Sequence, residues 1–368
     1  MWKFVCPLLV SVALGGIPAA ARAACPTPVP ESEWSLIMPL AARTLMLDIA
    51  SVGDTLVVVG DRGHVLISED QGRSWTQQRT PTRMLLTGVW FQDRNLGWAV
   101  GHDAVILRTE DGGETWCLVH AAPELERPLF DVWFEDAQHG FAVGAYGYVL
   151  RSSDGGLSWR EESLALVDAD VPGPDADDAD VDDAEEGGDA GDVEAEEAWD
   201  GDDWLDDESL AADLHLNKIV PGTGGRLYIA AEAGTVFRSG DRGRTWVALA
   251  PPYDGSFFGG LPPDDRSLLV FGLRGNMFRT WDAGATWRQI DLPVDTSLFG
   301  GARLDDGGIL VVGTAGVMLI SREGDRFRLI QRGDRKALVS AMPSGDGALI
   351  VIGEPGIERL EPGALAAE

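Results

Sequence analysis

Thr109-Glu110-Asp111-Gly112-Gly113-Glu114-Thr115-Trp116 decides the fold, because the chain repeats it. The frame is Ser/Thr, any residue, Asp, any residue, Gly, any residue, Ser/Thr, Trp. It returns at Ser68 to Trp75, Ser152 to Trp159, Ser239 to Trp246 and Thr280 to Trp287. Ser321 to Phe327 is a worn copy, with Glu323 at the Asp position and Phe327 just short of the Trp position. The acidic positions 70, 111, 154, 241, 282 and 323 are 41 to 43 residues apart, except for one gap of 87. A fixed period of this length is the mark of stacked supersecondary units.

The residue types explain the frame. Asp-Gly and Gly-Gly tolerate the positive φ of a tight hairpin turn. An Asp carboxylate can accept a hydrogen bond from the backbone two residues on, and the Ser/Thr before it can brace the same loop. The Trp starts the next strand and places a large apolar surface between neighbouring units. Each copy therefore reads as a turn with a plug, not as a reaction centre.

The motif resembles the Asp box, or bacterial neuraminidase repeat, of sialidases and other β-propellers. The longer unit, Leu129 to Gly144 followed by Gly147 to Trp159, resembles the repeat of the photosystem II assembly/stability factor-like propellers. That resemblance covers the chain outside residues 1–24 and about 165–213. It implies a propeller that binds a protein segment, and it does not imply a photosynthetic organism.

Period-2 apolar alternation marks the strands of each unit. The units are 45–78, 85–119, 129–163, 215–250, 255–291 and 297–331, with 337–361 as a seventh that has no Asp box and no fourth strand. The expected fold is an all-β, seven-bladed propeller forming one domain over 25–368. Glu33-Trp34-Ser35-Leu36-Ile37-Met38-Pro39 reads as a lone fourth strand whose Trp matches the Asp-box Trp. It is expected to complete the last blade and seal the ring.

Residues 1–24 read as a secretory signal. Lys3 precedes an apolar run from Leu8 to Ile17, and Ala21-Arg22-Ala23 supplies the small-x-small cleavage pattern. The run is too short to span a bilayer, and no later segment is long and apolar enough to do so. The reading is an exported, periplasmic monomer that does not itself cross a membrane. Lipid attachment at Cys25 is disfavoured by Arg22 three residues earlier. After the signal, Cys25 and Cys117 could pair in an oxidising compartment, although spacing alone does not show it.

Residues 165–213 interrupt the repeat between units three and four. They hold 22 Asp/Glu and no Lys/Arg, so of the net charge of −31 only −9 belongs to the rest of the chain. Such a run cannot bury enough apolar surface to fold alone, and it is read as a disordered acidic arm. Trp199 and Trp204 near its end are candidate partner contacts. The acidic run lacks the frame of an EF-hand calcium loop. The scattered histidines have no zinc-ligand spacing. No cofactor or metal is expected.

Propeller geometry puts the turns between second and third strands on the face shared by the blade-to-blade links. The variable residues of those Gly-x-x-Gly-like turns are the natural contact set. Asp61, Arg62, His102, Asp103, Tyr146, Glu232, Arg274 and Glu354 are expected to ring the mouth of the central channel. Arg62 and Arg274 have the donor geometry to clamp a carboxylate.

The function that fits is a non-catalytic assembly or binding factor. It would dock a segment of a membrane protein or envelope transporter on this face, beside the acidic arm. The alternative is a sialidase-like glycosidase or a polysaccharide-binding lectin. Sialidase chemistry needs an arginine triad and a Tyr nucleophile with a paired Glu. The chain has 4 tyrosines, and no Arg-Ile-Pro motif precedes the first Asp box. Its interstrand loops are short, leaving little material for a pocket. The negative charge repels phosphate and excludes nucleic acid as a partner.

Overall fold

A computed structural model describes residue 25 and residues 27–168, 211–264 and 267–365. The signal reading (1–24), Trp199 and Trp204 lie outside the described residues. The chain forms a seven-bladed β-propeller. Its blades span residues 46–78, 86–120, 129–162, 216–249, 257–289, 298–331 and 338–360. Within each sheet the strands follow chain order, antiparallel, from the innermost outward. Among the described residues, six blades have four strands and the seventh has three.

The second strands carry the core. Thr55–Gly60, Gly97–Gly101, Leu268–Gly272, Ile309–Gly313 and Leu349–Gly353 are apolar runs buried along nearly their whole length, because neighbouring blades cover both faces. Trp116 packs among Val52, Val57 and Ile67 of blade 1, and Trp246 among Phe141 and Val143 of blade 3. Each plug thus fills the seam with the preceding blade.

The turn chemistry is finer than the sequence reading. In blade 1, Ser68 Oγ donates to Asp70 Oδ1 (2.8 Å) and accepts from Gly72 N (2.8 Å). Asp70 accepts from Ser74 N (2.8 Å) and Ser74 Oγ (2.6 Å). The carboxylate therefore reaches four residues on, not two. Blades 2, 3, 4 and 5 repeat the same bonds around Asp111, Asp154, Asp241 and Asp282. The worn turn is one residue shorter: Gly324 N donates to Ser321 Oγ at a separation of three residues, not four.

An arginine just before the frame adds a clip between blades. Arg108 Nε donates to Gly155 O (2.7 Å) and Arg238 Nη1 to Ala283 O (3.0 Å). Arg151 reaches Gly243 O and Arg279 reaches Glu323 O in the same way. Arg359 of blade 7 donates to Gln71 O of blade 1 (3.0 Å), so the clip also closes the ring.

Closure does not use the expected strand. Trp34 to Pro39 form no strand, and they lie along blade 1, not blade 7. Ser35 N donates to Thr80 O (2.9 Å), Gln77 bonds both Met38 N and Leu36 O, and Arg83 donates to Trp34 O. The ring is sealed instead by side chains. Ala41, Met46 and Ile49 share one buried cluster with Ile350 and Ile352 of blade 7.

Cys25 and Cys117 form a disulfide, with Cα atoms 5.2 Å apart. It ties the start of the N-terminal strap to the outer strand of blade 2, which favours the strap's path along blade 1. The bridge closes a segment 92 residues apart in sequence. Cys117→Ser is expected to lower stability by about 2–4 kcal/mol. Urea unfolding of wild type with and without reductant checks this, since reductant should reproduce the loss in wild type and leave the variant unchanged.

Candidate functional site

The turns between second and third strands and the blade-to-blade links lie on one face. Thr80 Oγ1 donates to Gly63 O (2.6 Å), Ala122 N to Asp103 O (2.8 Å), Gly147 N to Leu214 O (2.8 Å) and Gly234 N to Gly255 O (2.8 Å). Leu214 belongs to the chain returning from the acidic stretch, so that return reaches the same rim. On the departing side, Ala165 and Val167 bond Trp246 in a parallel bridge. The propeller's own hydrogen bonding therefore extends a few residues into the stretch read as insertion.

Six of these turns share an uncommon backbone. Arg62, Asp103, Tyr146, Ala233, Arg274 and Ala315 all have φ between 50° and 57°. Left-handed geometry is costly for residues with a Cβ, and it recurs here because the strand pair and the link hold it from both sides. Equivalent positions on the rim therefore carry Arg, Asp, Tyr, Ala, Arg and Ala in one fixed orientation.

The strand order corrects where those side chains sit. The turns join the second and third strands, midway out along each blade, so they do not line the channel mouth. The inner strands line it, through the second residue of each: Leu47, Thr87, Phe130, Asn217, Phe258, Phe299 and Val339, all half-buried. Phe258 and Phe299 touch at 5.5 Å. Each inner strand carries a bulge at this point, which frees the residue from ladder pairing.

Of the eight expected rim residues, the fold brings two together. Tyr146 is exposed and stands edge-on to His215 (4.8 Å), whose Nδ1 lies 3.4 Å from Glu232. Phe130 meets the same imidazole at 5.7 Å. Asp61 and Arg62 pair with each other (3.3 Å). Glu232 also accepts His215 N, and Glu354 accepts Ala337 N (2.9 Å), so both brace the start of an inner strand. His102, Asp103 and Arg274 stand on their own blades, apart from this cluster.

Below the mouth, Lys218 spans the centre of the ring. Its ammonium lies 3.2 Å from Asp131 of blade 3 and 3.3 Å from Asp48 of blade 1. Each carboxylate also accepts a backbone N–H of the following blade: Asp48 from Val89 (3.1 Å) and Asp131 from Ile219 (2.9 Å). Burial raises the Asp131 carboxyl above its usual range, and Lys218 opposes that rise. Burial also pulls on Lys218, but its two carboxylate partners outweigh it and hold the ammonium charged. Gly88 occupies the same inner-strand position in blade 2. A Cβ there would meet Phe130 O at 2.9 Å and Asp131 Oδ1 at 3.1 Å.

No family model matches the chain. A photosystem II stability/assembly factor, HCF136, from the Arabidopsis thaliana chloroplast is 29% identical over 126 residues, 32% of this chain and 30% of that protein. Its counterpart from Cyanidioschyzon merolae is 44% identical over 48 residues, 12% of this chain and 11% of the relative. The chain thus spans a third or less of the length of the curated relatives it matches. Among solved structures, YCF48 bound to D1 peptide superposes with a TM-score of 0.61 at 15% identity, covering 90% of this chain and 97% of that one. Over about a third of its length the chain is similar in sequence to photosystem II stability/assembly factors, and its fold is a seven-bladed β-propeller.

The relatives matched by sequence are assembly factors, not enzymes. The fold itself does not divide the two classes. A virginiamycin B lyase from Staphylococcus aureus superposes on this propeller with a TM-score of 0.63 at 11% identity, over 89% of this chain and 98% of the lyase. Among the described residues, no group of three or more His, Cys, Asp and Glu could hold a metal ion. No helix there is long and apolar enough to cross a membrane.

The sequence reading missed Asp48, Asp131, Lys218 and His215. Asp48, Asp131 and Lys218 share the third position of their inner strands, so aligning the units would have shown a ring of Asp, Gly, Asp, Lys, Gly, Gly and Ser. Nothing in that alignment says that a lysine reaches across the ring.

Two sets of groups away from the central ion cluster favour the folded state at higher pH. Hydrogen bonds from the Ser74 and Thr286 side chains and then their amides lower Asp70 and Asp282 to about 2. Burial lowers His64 and His120. The carboxylates contribute stability above the unfolded value of roughly 4, and it is lost as pH falls toward 2. The histidines are held neutral, so stability falls as pH drops through roughly 6.5, where the unfolded chain takes up protons. Urea midpoints should decline gently from pH 8 to 5.5 and steeply below pH 4. His64→Gln with His120→Gln should flatten only the first slope.

Proposed function

We propose that the protein is a non-catalytic assembly or holding factor. It binds an exported segment of a membrane protein on the face that carries the strand 2–3 turns. The observation that carries this reading is the form of that face: outward-facing left-handed side chains surround an aromatic mouth at Phe130, Phe258 and Phe299. Lys218 and its two carboxylates span the ring beneath. A face of mixed polarity, with exposed side chains on several blades, suits an extended polypeptide better than a small substrate. YCF48, with the same fold, has been solved bound to a D1 peptide, and this supports a membrane-protein segment as the ligand class.

Export is part of the proposal. It rests on the signal-like residues 1–24 and on the Cys25–Cys117 bridge, which persists in an oxidising compartment. Asp61, Arg62, His102, Asp103, Tyr146, Arg274 and the acidic arm with Trp199 and Trp204 are the proposed contacts.

A photoreactive residue at position 146, in living cells, tests this, with residues 170–198 intact or deleted. The expected product is a crosslink to one envelope membrane protein, retained or weakened without the arm. Absence of any crosslink from 146, 62 and 274 in both backgrounds would overturn the reading.

A further inference from the structure

Among the described residues, blade 7 has one strand fewer than its neighbours. Its sheet is Leu338–Pro343, Leu349–Gly353 and Gly356–Leu360, and the last of these is an edge. In each complete blade the outer strand follows a turn whose aromatic residue packs on the preceding blade. Trp116 does so on blade 1, Trp246 on blade 3 and Trp75 on blade 7. Among the described residues blade 7 presents no aromatic residue to blade 6; the turn after its third strand, residues 361–365, instead places Leu365 against the cluster that Leu304 and Ile320 also pack on. Between the two blades lies an open cleft of about 1160 Å³ of mixed character, with Leu304, Ile320, Leu349, Leu360 and Leu365 on its apolar side and charged groups such as Arg322, Asp325 and Arg328 around it.

The strand beside this cleft has open hydrogen-bonding groups. Gly353 pairs with Gly356 across a two-residue turn, which makes them a mutually bonded pair. Antiparallel alternation then directs the N–H and C=O of Ile357 and Arg359 outward. Among the described residues, no hydrogen bond reaches those groups. An unpaired edge of this kind is a template for another strand. The apolar side of the cleft, Leu304 and Ile320, stands where the other seams receive their aromatic residue.

We propose that this edge takes an extended segment of a partner polypeptide as the fourth strand of blade 7. The segment runs antiparallel to Gly356–Leu360, opens with an aromatic residue and continues for three or four residues. The aromatic side chain enters the cleft against Ile320 and Leu304. The six complete blades set this chemistry, since their outer strands start after Trp75, Trp116, Trp159, Trp246, Trp287 and Phe327. The site is separate from the rim of strand 2–3 turns and does not depend on ligand binding there.

The test uses the full chain and a fluorescent peptide with the sequence of residues 239–250, which contains one turn, its Trp and its outer strand. Saturable binding is expected, about tenfold weaker for Ile357→Pro, which removes one outward N–H. A peptide with Trp246→Ser should lose binding, and the rim variant Tyr146→Ala should keep it. Hydrogen exchange on the wild type should show the Ile357 and Arg359 amides protected by the peptide, a readout that stands even if Ile357→Pro fails to fold. Unchanged exchange, no saturable binding, or equal affinity for a folded Ile357→Pro overturns the proposal. So does a concentration-dependent dimer that the peptide dissolves, which would assign the edge to a second copy of this chain.

Discussion

Trp116→Ala is expected to destabilise the propeller by about 3–5 kcal/mol, the range for emptying a buried aromatic site. Trp116 is 2% exposed, stands edge-on to Phe91 at 6.0 Å and donates its indole N–H to Gly113 O at 2.8 Å. Its removal opens the seam between blades 1 and 2 and leaves that carbonyl without its donor. The seam cannot collapse, because the strands on both sides are fixed by their own ladders. Trp75→Ala should cost less, since Trp75 is only half-buried. Guanidinium unfolding of both variants against wild type checks the order. A loss below about 1 kcal/mol for Trp116→Ala would contradict the role of the repeat as a seam plug.

Lys218→Met is expected to cost about 3 kcal/mol, the lower end for breaking a buried ion pair, because water still reaches about a third of the lysine side chain (36%). The substitution leaves Asp48 and Asp131 facing the same space without their cation. Asp131→Asn in the same chain should recover much of the loss by removing one of the two charges. The pH dependence distinguishes this from simple loss of packing. With Lys218 gone, the Asp131 carboxyl rises further and the folded state binds a proton that the unfolded chain does not. Stability of Lys218→Met should therefore increase as pH falls from 7 toward 5, opposite to wild type. Urea midpoints at those two pH values give the sign directly.

The blades were legible because each strand carries its signal locally. Alternation along Leu129–Phe134 and the Ser152 to Trp159 frame place blade 3 without any long-range information. The N-terminal strap shows the limit of that reading. Trp34 sits in the register of a plug with Thr27 at the first position of the frame, but Val29 and Glu31 stand where the turn needs Asp and Gly. Ser35, Gln77 and the Cys25–Cys117 tether hold it on blade 1 instead. The rim shows the same limit. Gly-x-x-Gly spacing finds the turns, but it does not separate Tyr146, which faces solvent, from Glu232 and Glu354, which brace backbone amides.

Local pattern alone determined the seven-unit all-β repeat, the chemistry of its turns and the acidic interruption after the third unit. Hydrogen-bonding needs and apolar periodicity are satisfied within some ten residues and can be read there. Closing the ring decided the rest. It brought Arg359 to Gln71, joined Cys25 to Cys117, set Lys218 between two aspartates from other blades and left Gly356–Leu360 as an edge. Each of these depends on residues that meet only when the first and last blades, or opposite sides of the ring, come together, and no spacing along the chain encodes that distance.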